Sequence, residues 1–127
     1  MAKWLIWVTI LTDQIAKYLV LTYFSSIVFL NKGVSFGLFP SGLWLGLNAL
    51  LLLIFIYILK PSWGKHLILG GGISNIIDRI FRGGVVDFVN LKPLFLGLNL
   101  PVFNLADVFI AIGCIAVFLE IKTCKKN

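Results

Sequence analysis

Carboxylates stand inside the apolar runs of this sequence, and that placement restricts the folds open to it. Asp13 interrupts the first run and Asp107 the last, while Asp78 and Asp87 flank the glycine-rich end of a third. Of the five acids in 127 residues, Glu120 alone sits at the edge of a run with plain basic neighbours. The chain is 60% hydrophobic, with a mean hydropathy of +1.03, which assigns it to a bilayer. A carboxylate near the bilayer centre costs about 2.5–3.5 kcal/mol on insertion scales. Such a cost, repeated several times in so small a protein, implies that the acids do something.

The length allows one domain, residues 1–127, integral to the membrane. A span needs about 20 apolar residues at 1.5 Å each. Four candidates answer to this, at about 4–24, 42–59, 66–81 and 102–121, the third short and loosened by Gly70, Gly71 and Gly72. The fold class expected is an all-α membrane protein with four transmembrane helices. Lys3, Lys60, Lys65, Lys122, Lys125 and Lys126 fall on one side, against Lys32, Arg79, Arg82 and Lys92 on the other. That excess places both termini in the cytoplasm. The net charge of +6 is thus a topology signal and not a nucleic-acid face. The spacing of Cys114 and Cys124 suggests neither metal nor disulfide; Cys114 reads as a packing residue, and no cofactor is called for. The four tryptophans read as interface anchors or helix packing, and His66 as a solvated flank residue. In the outer loops, 26–30 and 84–91 have strand composition, and 94–100 reads either as an apolar flap in the interface or as a loop packed on the helices.

Three constellations carry chemistry. Asp13 and Lys17 are four apart, on one helix face, and read as a self-neutralising structural pair beside Gln14. Asn75 and Asp78 share a face of the glycine-rich helix, where Arg79 is placed to hold a carboxylate. Asp87 lies just beyond the third helix. Asp107 is expected about one and a half turns into the fourth, roughly 8 Å below its outer end. Antiparallel helices three and four bring these two acids together near the outer leaflet. Close carboxylates share a proton, so one acid can draw a proton from water while the other donates to a carbonyl. The same pair also suits a proton relay or a cation site.

The motifs together resemble the bacterial lipoprotein signal peptidases (signal peptidase II). The stretches that carry the resemblance are Asp13-Gln-Ile-Ala-Lys17, Asn31-Lys-Gly-Val-Ser-Phe-Gly37, Gly71-Gly-Ile-Ser-Asn-Ile-Ile-Asp-Arg79, Gly84-Val-Val-Asp-Phe88 and Phe103-Asn-Leu-Ala-Asp107. They occur in the family's order across nearly the whole chain. The resemblance implies an aspartic endopeptidase of the bacterial cytoplasmic membrane, active at its outer face, that cuts signal peptides from diacylglyceryl-modified prolipoproteins. It implies Asp87 and Asp107 as catalytic residues. Asn31, Asn75, Arg79 and Asn104 become substrate-binding or supporting residues, and Asp13, Lys17 and Asp78 structural polar ones. The expected partners are the lipidated prolipoprotein and membrane lipids, with the enzyme a monomer. Two departures stand out. The stretch from Tyr18 to Leu30 is short against the family pattern, which points to a small, reduced extracytoplasmic β-element. Val108 follows Asp107 where a small polar residue is common.

Two other readings fit the same residues. A small proton- or cation-coupled transporter would use Asp13 and Lys17 as the deeper part of a polar route across the membrane. A membrane assembly factor would use the glycine seam as an oligomer interface with the acids as polar locks.

Overall fold

A computed structural model describes residues 2–32, 41–94, 98 and 100–124. Among them are four long helices and a two-stranded sheet. In chain order these are α1 (Trp4–Tyr23), a 3₁₀ turn at Ser25–Ile27, β1 (Phe29–Asn31), α2 (Ser41–Ile58), α3 (Trp63–Arg82), β2 (Val85–Asp87) and α4 (Leu105–Cys124).

α3 is the central helix. It packs on α4 most extensively, then on α1, then on α2. Its glycines allow this and do not shorten the helix, which runs 20 residues. A Cβ at Gly70 would stand 2.9 Å from the Ile6 carbonyl oxygen of α1, and one at Gly71 would stand 2.6 Å from that of Ala106 in α4. A Cβ at Gly72 would collide with Leu52 of α2. Three successive glycines thus admit three different neighbours, as small residues do between closely packed helices.

The molecule is inside out by the standard of soluble proteins. Lys17, Asp13, Asp78, Asn104, Ser74 and Thr9 are among its most deeply buried side chains, while Trp7, Tyr57, Phe81 and Ile115 face outward. Apolar contact with lipid outside and satisfied polar contact inside account for this arrangement. Of the described helices, Trp4–Tyr23 is long and apolar enough to cross a bilayer by length and composition, and Gly42–Ile58 is apolar but shorter.

Several boundaries differ from expectation. α3 begins three residues before the expected position 66, because Ser62, in extended conformation, caps it by accepting from the Lys65 N–H. His66 therefore falls inside the helix and is buried, not a solvated flank residue. Cys114 faces outward and does not pack internally. α4 begins at Leu105 and not at 102, because Phe103 is held in extended pairing with Val89.

The sheet fixes the outer end. α3 stops at Gly83, whose φ of 74° is the left-handed cap glycine supplies at low cost. The chain then enters β2, which pairs antiparallel with β1 in the register Phe29↔Asp87, Leu30↔Val86 and Asn31↔Val85. The strands are shorter than the stretches 26–30 and 84–91, since Ser25–Ile27 coils into the 3₁₀ turn and pairing ends at Asp87. Beyond β2, the Phe88 and Val89 N–H groups donate to the Phe103 oxygen at 3.0 and 2.8 Å. This draws the residue after Phe103 toward Asp87. Most of the apolar stretch 94–100, Lys125 and Lys126 lie outside the described residues.

Candidate active site

The polar residues of α1, α3, β2 and α4 form one connected cluster with two tiers. In the inner tier Lys17 is fully buried, with its Nζ 2.6 Å from Asp13 Oδ2 and 2.7 Å from Asp78 Oδ2. Asp78 is also paired with Arg82. Ser74 Oγ donates to Asp13 at 2.7 Å, and Gln14 Nε2 donates to Ser74 Oγ and Asp78 at 2.9 Å each. Arg82 donates to Gln14 Oε1 at 2.8 Å. Every charge here has a partner, as burial requires.

The outer tier contains two acids held by amides. Asn104 Nδ2 donates to Asp87 Oδ1 at 2.8 Å and to Asn75 Oδ1 at 3.2 Å. Asn75 Nδ2 donates to Asp107 Oδ1 at 3.0 Å, and Asn31 Nδ2 donates to Asp87 Oδ2 at 3.1 Å. Asn104 and Asp107 also cap α4 reciprocally. The Asp107 N–H donates to Asn104 Oδ1 at 3.0 Å, and the Asn104 N–H donates to Asp107 Oδ2 at 3.1 Å. This is the geometry of a capping box with an aspartate in the third helical position. Asp107 therefore lies in the first turn of α4, and not one and a half turns in, because Asn104 and not Val102 starts the helix. Its carboxylate benefits from the positive end of the helix dipole.

Asp87 is buried, whereas Asp107 is half-buried. Among the described residues, neither is in a salt bridge. Burial pushes the Asp87 carboxyl above the usual carboxylate range. The Asn31 hydrogen bond opposes this, the Asp107 charge adds to it, and Asn104 and Lys17 pull it back. Arg79 feels the charges of Asp107, Asp87 and Asp78.

All nine residues singled out in the sequence fall in or beside this cluster, with one change of partner. The arginine bound to a carboxylate is Arg82, not Arg79. Arg79 donates to the Asn75 backbone oxygen at 3.4 Å, and its buried Nε has no partner among the described residues. Gln14, Ser74 and Arg82 complete the inner tier and were missing from the expected set. Arg82 had a signal, being four residues after Asp78 on one helix face. Asp13 Oδ1 accepts from the Ala106 N–H at 2.8 Å, so the inner tier reaches the residue beside Asp107.

The fold is that of a bacterial membrane enzyme. A solved structure so described, from crystals grown in meso, superposes with a TM-score of 0.73 over 92% of this chain and 89% of that one, at 23% identity. The family model for Signal peptidase (SPase) II matches residues 3–123, and the chain belongs to that family. Membership makes it a peptidase, hence a hydrolase. A lipoprotein signal peptidase of Halalkalibacterium halodurans is 36% identical, with 89% of this chain and 86% of the relative covered. One of Rickettsia felis is 35% identical over 76% of this chain, which spans 54% of that relative's length.

Proposed function

We propose that the protein is an aspartic endopeptidase that removes signal peptides from diacylglyceryl-modified prolipoproteins, with Asp87 and Asp107 as its acid–base pair. The observation that carries this reading is the outer tier, where two carboxylates are held by amide donors and, among the described residues, neither is in a salt bridge. Family membership and the lipoprotein signal peptidases among its relatives supply the substrate class.

The chemistry follows from the unequal environments. Asp107, which caps α4 reciprocally with Asn104, is assigned as the base. Asp87, pushed upward by burial, holds the proton. A water molecule between them loses a proton to Asp107 as its oxygen bonds to the scissile carbonyl carbon. Asp87 gives its proton to the carbonyl oxygen. The resulting diol collapses as one hydroxyl returns its proton to Asp87, the C–N bond breaks, and the leaving nitrogen takes the proton held on Asp107, which restores both acids. Asn31, Asn75 and Asn104 hold the two acids, and Arg79, with a buried unpartnered Nε beside them, is the residue placed to bind a substrate carbonyl.

The same reading makes residues 1–127 one membrane domain crossing four times, both termini cytoplasmic, with the pair near the outer leaflet of the cytoplasmic membrane. The outward apolar faces and the basic residues at the opposite end support this. The enzyme acts as a monomer among membrane lipids. A diacylglyceryl group then stays in the bilayer while the peptide bond reaches the acids, each buried methylene adding about 0.8 kcal/mol. The test is cleavage of a synthetic prolipoprotein peptide and its unlipidated twin. The expected result is turnover of the lipidated peptide at least 100-fold faster, on the order of four or more buried methylenes. Equal turnover of both would remove the substrate assignment. Ion flux into protein-containing liposomes would favour the transporter reading.

A further inference from the structure

The inner tier takes no part in the proton transfers, yet its two acids are aimed at particular peptide groups. Asp13 Oδ1 accepts from the N–H of Ala106 at 2.8 Å, the residue before Asp107. Asp78 Oδ2 accepts from the N–H of Val86 at 3.0 Å, the residue before Asp87. Lys17 stands between the two acids, 2.6 and 2.7 Å away. It also donates to Asn75 Oδ1 at 3.1 Å. An ammonium only donates, so the Asn75 carbonyl must face it and the amide N–H₂ is left for Asp107. Carboxylate bonds to backbone N–H groups are charge-assisted and hold position well. Packing alone would not require a buried ion pair, and an acid at each of these two peptide groups does more than hold helices together.

We propose that Asp13, Lys17 and Asp78 are positioning residues for the acid pair: each acid fixes the peptide leading into one of the two aspartates, and the lysine sets their spacing and turns the Asn75 amide toward Asp107. This rests on the acid-pair reading above. Its consequence is kinetic. A misplacement of about 1 Å at reacting groups can cost 10²-fold in rate.

The test uses the full chain in liposomes with the lipidated peptide, and compares Asp13→Ala/Lys17→Met, Asp78→Ala and Ser74→Ala with Asp87→Asn. The double variant removes a cation and an anion together, so Asp78 remains paired with Arg82. Ser74→Ala frees Asp13 from a 2.7 Å donor while every charge stays paired. The first two variants are expected to lose roughly 10- to 100-fold in kcat with KM within about threefold, and Ser74→Ala about three- to tenfold in kcat. Asp87 is faced by Lys17 from α1, Arg79 from α3 and Asp107 from α4. Removing Lys17 therefore moves the alkaline limb of the pH–rate profile to higher pH. Residues that only hold helices together would lower the thermal midpoint and leave the kcat and pH limb of the folded enzyme unchanged. That result in any folded variant overturns the proposal, as does wild-type kcat in Ser74→Ala should the other two not fold. Activity in Asp87→Asn would instead overturn the acid-pair reading itself.

Discussion

The two tiers of the cluster contain two acids each, and they solve the problem of a buried carboxylate in opposite ways. Asp13 and Asp78 are ion-paired with Lys17, and Asp78 with Arg82 as well. Asp87 and Asp107 have amide donors from Asn31, Asn75 and Asn104 and, among the described residues, no salt bridge. An ion pair offsets the cost of burying a carboxylate; amide donors offset only part of it, and Asp87 stays raised by burial. On the proposed reading, the difference separates acids that hold the bundle together from acids kept available for proton transfer. The two pairs adjoin, since Lys17 and Asp107 both bond to the Asn75 amide, so depth alone does not distinguish them.

The comparison breaks most easily at Lys17. Lys17→Met leaves Asp13 and Asp78 facing each other without their shared cation, and the loss of a buried partner costs about 3–5 kcal/mol. Thermal unfolding in detergent should show a large fall in midpoint, whereas Asp107→Asn in the outer tier should shift it little. A smaller effect is expected at Asn104, which belongs to both the cap of α4 and the hold on Asp87. Asn104→Ala should remove about 1 kcal/mol of capping and lower kcat on the order of 10- to 100-fold, the range for a misplaced reacting group.

The pH profile sharpens the same contrast. Asp87 is raised in the folded protein, so its proton persists upward in pH and is lost as pH climbs through the raised value. Activity should fall on that alkaline side. The linked stability has the same sign: a carboxyl raised on folding stabilises the fold below its unfolded pKa, and that contribution is lost as pH rises through the folded one. The kcat profile and the thermal midpoint, measured across pH, should decline together there, and Asp87→Asn should flatten the stability component. The smallest effect is expected at Gly83, where alanine in a left-handed conformation costs about 1 kcal/mol without touching either tier.

Much of this site was legible in the sequence because its spacings are local. Asp13 and Lys17 share a helix face at four residues, and Asn75 and Asp78 at three. Asp87 and Asp107 announce themselves by interrupting or bordering apolar runs. The start of α4 was not legible: Val102 and Phe103 are as apolar as the helix that follows, and only pairing across to Val89 shows that the chain is still extended there. The same long-range dependence hid Ser74 and the partners of Gln14, which meet it some sixty residues apart in the chain. Arg82 was read as a flanking charge, since a basic residue after an apolar run is the common topology signal. His66 was misplaced for a simpler reason: Ser62 starts α3 a turn earlier than its apolar run suggests.

The most direct measurement is single-turnover cleavage of the lipidated peptide by Asp87→Asn and by Asp107→Asn, each verified as folded by its thermal midpoint. Substitution of an acid or base that carries the reaction should lower the rate by at least about 10²–10⁴-fold, in both variants alike, since neither half of the pair works without the other. Cleavage near the wild-type rate in either folded variant would contradict the account.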